Sequence, residues 1–261
     1  MILIKKINTF LYSLSNKSFR EIAYLFLINF GFKKTSKICL YLNYKLQKYP
    51  KETIYFLHIN KCGGTALRES FSKINKNSEI KIKSFPHAVK SKNLNFDNKN
   101  RYMMSVRHPL NRVVSAFYDR KRSKNLKHPE EIDCFKTFPE INNLGEALSS
   151  KDLYIKNKAI YSHKTMGIVK HKLEEWISID FLKKNKLFFL FELECLNSDF
   201  YKFCNKVKLK KKIFLRLINK NTAVKKQKLS KLAKKNFIKY YKNDLKIYNY
   251  LLKNKKNFNN F

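Results

Sequence analysis

The feature that most constrains the fold of this chain is a short apolar run that leads directly into a glycine-containing turn. Residues 53–59 (TIYFLHI) are almost all apolar, residues 60–65 have the sequence NKCGGT, and residues 66–74 carry apolar side chains at helical spacing. A continuous apolar run of this length is typical of a strand buried on both faces of a parallel sheet. The sequence therefore predicts a β-strand, a tight turn and a helix in immediate succession.

Further strand and helix segments alternate along the chain. We predict strands at residues 79–85, 101–106 and 187–191, and helices from Pro109, near 196–207 and over 228–252. Strands that alternate with helices imply an α/β fold with a mainly parallel sheet, and we expect a three-layer sandwich. The polar stretch 123–139 has few core positions and is predicted to be a long surface loop.

The length of the chain, 261 residues with 44% hydrophobic residues, is sufficient for one domain with a core. Residues 1–50 contain no recognisable chemistry and are predicted to be a helical N-terminal extension, which leaves residues 51–261 as the main domain. The most apolar run of the extension, residues 22–32, is about half of what a membrane span needs. We expect a buried helix there, with attachment to a membrane surface as the alternative.

The chain is strongly basic, because 57 lysines and arginines oppose 19 acidic residues, for a net charge of +38. Such a charge is compatible with nucleic acid, an anionic membrane or an anionic substrate as the partner. However, 49 of the basic residues are lysines, and asparagine and isoleucine are also abundant, which is the bias that an AT-rich genome produces. We therefore interpret much of the charge as compositional drift on solvated faces.

The cysteines favour a reducing compartment. All five lie at wide, irregular spacing, without a CxxC pair or a His/Cys cluster, which argues against a disulfide framework and against a metal site. We expect a cytoplasmic protein, with peripheral membrane association as the alternative.

The turn NKCGGT is a candidate anion site. Where a strand delivers a glycine-containing turn onto a helix N-terminus, backbone N–H groups and the helix dipole converge on one point. Lys61 adds a full positive charge and Thr65 a hydroxyl group. The turn is shorter than the GxxxxGK[ST] loop of nucleotide triphosphatases, and its lysine precedes the glycines. An ordinary strand–turn–helix connection is the alternative interpretation.

A second candidate anion site lies in residues 106–120, VRHPLNRVVSAFYDR. Five of the eight arginines of the chain fall within the 22 residues 101–122, which include this segment, and this favours a need for the planar guanidinium group. Arg107 directly follows a predicted buried strand, at the edge where open α/β sheets bind ligands. Ser115 lies about two helical turns farther on and can face the same edge. The other arginines of this helix are expected to lie at the surface or to pair with Asp119: Arg112, Arg120 and Arg122.

Two segments about 40 residues apart closely resemble the cofactor loops of PAPS-dependent sulfotransferases: FLHINKCGGTALRESF and VRHPLNRVVSAFYDR. The nearest branch is the carbohydrate, heparan sulfate 2-O-sulfotransferase-like one, which typically shows HIPKTGGT and RDPxxRxxSxF. Weaker similarity extends the match to roughly residues 53–250. The resemblance implies a P-loop-kinase-like sulfotransferase fold. It also implies that a sulfuryl group moves from 3′-phosphoadenosine 5′-phosphosulfate (PAPS) to a hydroxyl of a carbohydrate or glycan acceptor, without a metal.

The resemblance further implies roles for individual residues. The 5′-phosphosulfate would be bound by the first loop, through Lys61, Cys62, Gly63, Gly64 and Thr65. The 3′-phosphate would be bound by the second loop, through Arg107 and Ser115. Lys61 would also neutralise charge on the bridging oxygen, which makes it a candidate catalytic residue. The chain departs from the family pattern at three positions. The family usually has Pro at the position of Asn60, Thr or another small residue at the position of Cys62, and Asp at the position of His108.

His87 is the candidate general base. An unassisted hydroxyl is a poor nucleophile, and a positioned base contributes typically about 10²- to 10⁴-fold in rate. His87 follows the second predicted strand and therefore lies at the same sheet edge as Lys61, and the resembled branch has a catalytic histidine in this region. A histidine that only caps the strand is the alternative, and His58 is a rival base that is expected to face the core or the loop backbone.

Two other function classes stay open. A nucleotide kinase needs a longer phosphate loop and a carboxylate for Mg²⁺ after a strand, and neither arrangement is convincing here. A basic nucleic-acid-binding protein would account for the charge, but the aromatic residues of the C-terminal segment have core spacing and do not alternate with arginine. We therefore expect no specific nucleic-acid partner, and we expect residues 123–172 and the first 50 residues to select the acceptor.

Overall fold

The computed structural model describes residues 53–87, 89–91, 101–123, 129–209, 213–215 and 228–260, all within one unit, Lys51–Phe261. The strands are β1 (Thr53–Leu57), β2 (Lys81–Ser84), β3 (Arg101–Val106) and β4 (Phe189–Glu192). The helices in these ranges are α1 (Gly64–Asn77), α2 (Pro109–Arg122), α3 (Pro129–Thr137), α4 (Ile141–Ala147), α5 (Leu153–Thr165), α6 (Ile179–Lys184), α7 (Leu196–Lys206), α8 (Lys231–Tyr240), α9 (Lys242–Lys253) and α10 (Lys255–Asn259). The expected N-terminal extension, residues 1–50 with the apolar run 22–32, lies outside the described residues.

The four strands form one sheet in the order β2-β1-β3-β4, and every neighbouring pair is parallel. In the register of this sheet, Phe56 lies beside Met103, and Met103 lies beside Phe189. The prediction of an α/β fold with a parallel sheet is thus confirmed. A parallel sheet that carries this much helix is compatible with a three-layer arrangement.

The strand order changes direction at β1. From β1 the chain passes through α1 to β2 on one side, then returns to form β3 on the other side of β1. In open α/β sheets, a crevice for ligands forms outside the carboxyl ends of the strands at such a point. The two candidate anion loops follow β1 and β3, so both begin at the carboxyl edge of the sheet where such a crevice is expected.

One face of the sheet packs against α1 and α7. The buried cluster comprises Ile54, Phe56, Ile82, Met103, Phe189 and Phe191 from the strands, Leu67, Phe71 and Ile74 from α1, and Leu196, Phe200 and Phe203 from α7. These strand residues alternate along the chain, so they share one face. The apolar face that the sequence predicts for α1 is confirmed, since its residues are the buried ones of that helix.

A second buried cluster joins α2 to α3, α4, α5 and α8. It includes Val113, Phe117, Cys134, Leu144 and Phe237. The surface loop predicted at 123–139 is therefore wrong over its second half, where α3 is a helix whose Cys134 has no exposed surface.

The reason for that error is an ion pair that the local sequence does not reveal. Glu131 of α3 is fully buried and accepts two hydrogen bonds from Arg120, from Nε at 2.7 Å and from Nη2 at 2.5 Å. A polar residue can occupy a core position when its charge is paired and hydrogen-bonded in this way.

The C-terminal segment forms the predicted amphipathic helices, with a break at Tyr241 between α8 and α9. Phe237, Tyr241 and Tyr248 are buried as their spacing predicts, whereas Leu232 is 48% exposed. After α9, the side chain of Asn259 reaches the outer edge of β4. Its Oδ1 accepts from the Leu190 N–H at 2.9 Å, and its Nδ2 donates to the Leu190 carbonyl at 3.0 Å.

None of the helices in the described ranges combines the length and the apolar content that crossing a membrane requires.

The buried His163 of α5 makes stability depend on pH. Its Nδ1 lies 3.0 Å from the Tyr241 hydroxyl, and burial lowers the pKa of His163 to about 3. The unfolded chain takes up a proton near pH 6.5 and the folded chain does not, so the stability is complete above pH 6.5 and is lost as the pH falls below it. We expect the buried, neutral His163 to lower the free energy of unfolding by about 2 kcal/mol when the pH falls from 7 to 5.

Urea denaturation followed by the fluorescence of Trp176 measures this loss. In His163→Phe, which keeps the ring packing but cannot be protonated, the difference between the two pH values should shrink by that amount. If the difference between the two pH values were unchanged in His163→Phe, His163 would not be the source of the pH dependence.

Candidate functional site

The first loop turns sharply because two of its residues adopt left-handed backbone conformations. Lys61 has a φ of 65° and Gly63 a φ of 80°. Gly63 precedes the first residue of α1, and no side chain caps that helix end from this position. Left-handed backbone is easy for glycine and unfavourable for lysine, so the surrounding structure holds Lys61 in a strained turn. Thr65 lies exposed in the first turn of α1.

The first turn of α1 packs directly on His58, which follows β1. A Cβ atom added to Gly64 would lie 1.9 Å from His58 Nε2, so the close approach requires glycine at this position. His58 is 7% exposed, and its Nδ1 has no hydrogen-bond partner among the described residues. Burial, aided by the charges of His87 and Arg68, lowers the pKa of His58 to about 3, so this imidazole is neutral. The expectation that His58 faces the core or the loop backbone is thus confirmed, since its buried ring packs on Gly64.

His87 lies against His58 at the carboxyl edge of the sheet. The two ring centroids are 3.8 Å apart, and His87 Nδ1 lies 2.9 Å from the His58 carbonyl oxygen. A carbonyl oxygen only accepts, so Nδ1 carries a proton, and in the neutral ring Nε2 keeps its lone pair. Trp176 Nε1 donates to the His87 carbonyl oxygen at 3.0 Å and holds the backbone of this turn.

The environment of His87 favours the neutral imidazole. Desolvation lowers the pKa of His87 below its usual 6.5, the charges of Arg68 and His171 act in the same direction, and the hydrogen bond to His58 acts against them. His87 is therefore neutral at pH 7, with Nε2 able to accept a proton.

The two candidate anion loops meet through Arg107. Its Nη1 donates to the Lys61 carbonyl oxygen at 3.4 Å. Desolvation lowers the pKa of Arg107, while Cys62 and Glu194 act in the opposite direction. Cys62 is 1% exposed, and burial raises the pKa of its thiol to about 12. This cysteine therefore stays protonated, and its thiol donates to the Asn60 carbonyl oxygen at 3.5 Å.

The ammonium group of Lys61 reaches the helix that follows the second loop. Its Nζ lies 2.8 Å from Asp119 Oδ1, in an ion pair whose side chains are 24% and 37% exposed. Ser115 is half-buried one helical turn before Asp119. Residues four apart share a helix face, so Ser115 lies on the side of α2 that faces the first loop. Ser115 therefore lies on the same face of α2 as Asp119, the residue that Lys61 contacts.

The expectations for Arg112 and Arg120 are wrong, whereas Arg122 is exposed as expected. Arg112 is 2% exposed, and its Nη2 donates to the His171 carbonyl oxygen at 2.5 Å and lies 3.5 Å from Asp244 Oδ2. Arg120 pairs with Glu131, as described above, and Asp119 is taken by Lys61. Arg112 and Arg120 therefore have structural roles, because each pairs with a buried carboxylate of another helix.

Three neighbours of the site were not predicted: Asp119 as the partner of Lys61, Trp176, and Glu194. Glu194 Oε1 accepts from the His108 backbone N–H and from Asn111 Nδ2, each at 3.2 Å. The position of Glu194 just after β4 was the one available signal, since the carboxyl ends of parallel strands meet at one edge. Trp176 gives no local signal, because its contact with His87 joins distant parts of the chain.

Comparison of the chain with protein-family models, with curated proteins and with solved structures finds no match. In the part of the chain that the structure describes, no group of three or more His, Cys, Asp or Glu residues is arranged to hold a metal ion.

The contact between His58 and residue 64 can be tested by a double-mutant cycle. We expect Gly64→Ala to destabilise the protein by about 2 kcal/mol, because the added methyl group displaces the His58 ring. In the His58→Ala background the same change should cost less than about 1 kcal/mol.

Urea denaturation at pH 7 gives the four free energies of unfolding, with Ser72→Ala on the exposed side of α1 as the control. Equal costs of Gly64→Ala in both backgrounds would show that the ring does not limit residue 64.

Proposed function

We propose that the protein is a PAPS-dependent sulfotransferase that acts on a hydroxyl of a carbohydrate acceptor. The observation that carries the proposal is the convergence of two cationic loops and a neutral histidine at one sheet edge. Lys61 and Arg107 are joined through the Lys61 carbonyl oxygen, and His87 is tied to β1 through His58. The resemblance of both loop sequences to this family gives the convergence its chemical meaning and supplies the carbohydrate class of acceptor.

The proposed fold is the three-layer, P-loop-kinase-like sulfotransferase fold. The parallel strand order β2-β1-β3-β4 supports it, because the reversal beside β1 places a turn with glycines and an arginine on either side of one crevice.

In the proposed complex the two anionic ends of the donor occupy the two loops. The turn from Lys61 to Thr65 would bind the 5′-phosphosulfate, with the amides of Gly63 and Gly64 at the start of α1. Arg107 and Ser115 would bind the 3′-phosphate, since a guanidinium group and a hydroxyl group offer several donors to a phosphate. Two separate loops suit a donor whose phosphates are carried on different ribose positions.

The proposed reaction is an in-line displacement at sulfur. The acceptor oxygen forms a bond to sulfur while its proton passes to His87 Nε2, and the bond from sulfur to the bridging phosphate oxygen breaks. Lys61 would stabilise the charge that grows on that oxygen as adenosine 3′,5′-bisphosphate leaves. The Nδ1–H bond to the His58 carbonyl supports the role of His87, because it leaves Nε2 as the acceptor of the proton.

Binding of adenosine 3′,5′-bisphosphate tests the donor site directly. We expect micromolar binding in calorimetric titration, and at least about a hundredfold loss in Lys61→Ala and in Arg107→Ala, because each change removes a charge-assisted contact with a phosphate. The matched controls are Lys73→Ala on the exposed side of α1 and Arg101→Ala at the opposite end of β3, and both should bind as the wild type does.

ATP with Mg²⁺ serves as the rival ligand in the same titration. Binding of ATP without binding of the bisphosphate would contradict the proposed sulfotransferase function and favour a nucleotide kinase. Binding of neither ligand, with tight and strongly salt-dependent binding of DNA, would favour the nucleic-acid-binding alternative.

The role of His87 predicts a particular dependence of turnover on pH. We expect kcat to fall about tenfold per pH unit once the pH drops below the lowered pKa of His87, because the protonated ring cannot accept the proton. His87→Ala should lose about 10²- to 10⁴-fold in kcat and should abolish this acid limb, while its affinity for the bisphosphate stays unchanged. Sulfuryl transfer from labelled PAPS measures both effects, and an acid limb that persists in His87→Ala would remove His87 as the base.

A further inference from the structure

We propose that Asp119 and Glu194 act as internal competitors for the two anion positions of the crevice and thereby weaken the binding of every anion there. The inference deepens the proposed function and rests on it for the identity of the ligand. Neither carboxylate is among the site residues that were predicted from the two loop sequences.

Asp119 forms an ion pair with the Lys61 ammonium group, which the first loop would otherwise offer to a phosphate. The Lys61–Asp119 distance of 2.8 Å is that of a direct, hydrogen-bonded ion pair. A phosphate that uses Lys61 must either displace the carboxylate or lie beside it, and two anions at one ammonium group repel each other.

Glu194 likewise places its carboxylate at the start of α2, where a phosphate could otherwise bind. Its carboxylate accepts from the His108 N–H and the Asn111 amide at the first turn of this 14-residue helix, each at 3.2 Å. The charge of Glu194 also acts on Arg107, the proposed ligand of the 3′-phosphate. A helix N-terminus and a guanidinium group together attract an anion, and here the protein supplies one of its own.

The charge of the whole chain gives these two carboxylates their significance. With a net charge of +38, the protein attracts anions over its surface, and an unopposed pair of loops would hold any phosphate tightly. Carboxylates that return to Lys61 and to α2 limit this binding, and they favour departure of a bisphosphate product. Removal of either carboxylate should therefore strengthen binding, an outcome that damage to the fold does not produce.

The test measures anion affinity by calorimetry in the full-length protein. Adenosine 3′,5′-bisphosphate and inorganic phosphate are titrated into wild type, Asp119→Asn, Glu194→Gln and the double variant. We expect each single change to tighten binding of the bisphosphate by about threefold to tenfold, and the double variant to combine both gains. Inorganic phosphate should bind more tightly to Asp119→Asn by a similar factor.

Matched controls remove one carboxylate from comparable contacts elsewhere. Asp133→Asn breaks a lysine ion pair with Lys158, which has a distance of 2.9 Å, and Glu174→Gln neutralises the carboxylate that accepts from Asn243 Nδ2 at 2.7 Å. Both change the net charge as the test variants do, and both should leave the anion affinities within about twofold of wild type.

Each outcome decides between the two proposals. If wild type binds the bisphosphate and the variants bind it equally or more weakly, the carboxylates position the cations and the competition is refuted, while the proposed function stands. If wild type does not bind the bisphosphate but Asp119→Asn binds phosphate more tightly than wild type, the competition stands and the proposed function fails. If no anion binds more tightly to any variant and wild type does not bind the bisphosphate, both proposals are overturned.

Discussion

The packing of the His58 ring on the backbone of Gly64 is the constraint on which the arrangement of the candidate site depends. His58 follows β1 and Gly64 begins α1, so their contact determines how sharply the chain turns between strand and helix. The same His58 presents its carbonyl oxygen to His87 Nδ1 and fixes which nitrogen of that ring carries the proton. A glycine, a neutral buried imidazole and a surface histidine therefore form one structural unit, in which each member is positioned by the one before it.

A second set of contacts supports the same edge from the C-terminal helices. Asp244 of α9 accepts hydrogen bonds from the backbone N–H groups of Leu173 and Glu174, and it lies beside Arg112 of α2. Arg112 also lies over the ring of Trp176, 5.9 Å from its centroid, and Trp176 donates to the backbone of His87. The buried guanidinium group thus links α9, α2 and the turn that carries His87. Because a buried charge is costly without its partner, these elements are held together.

Much of the framework follows from the sequence because it depends on local patterns. β3 occupies the six residues 101–106 that were predicted, and α1 buries the face that its spacing indicates. Helix α3 was missed, because its burial depends on the pairing of Glu131 with Arg120, which hydrophobic periodicity does not register. The sequence also places Lys61 and Arg107 at one sheet edge, since both follow parallel strands. It gives no indication that Asp119 takes Lys61, because the choice among carboxylates depends on the orientation of α2.

The contact of Asn259 with Leu190 has a consequence for how this protein meets other molecules. A strand at the end of a sheet offers unpaired N–H and C=O groups to any passing chain, which is a common route to aggregation. The single carboxamide of Asn259 occupies both of these groups at Leu190, as the backbone of a further strand would. The small helix α10 therefore blocks intermolecular strand addition at this point of β4, and a chain that lost it would present a template for self-association.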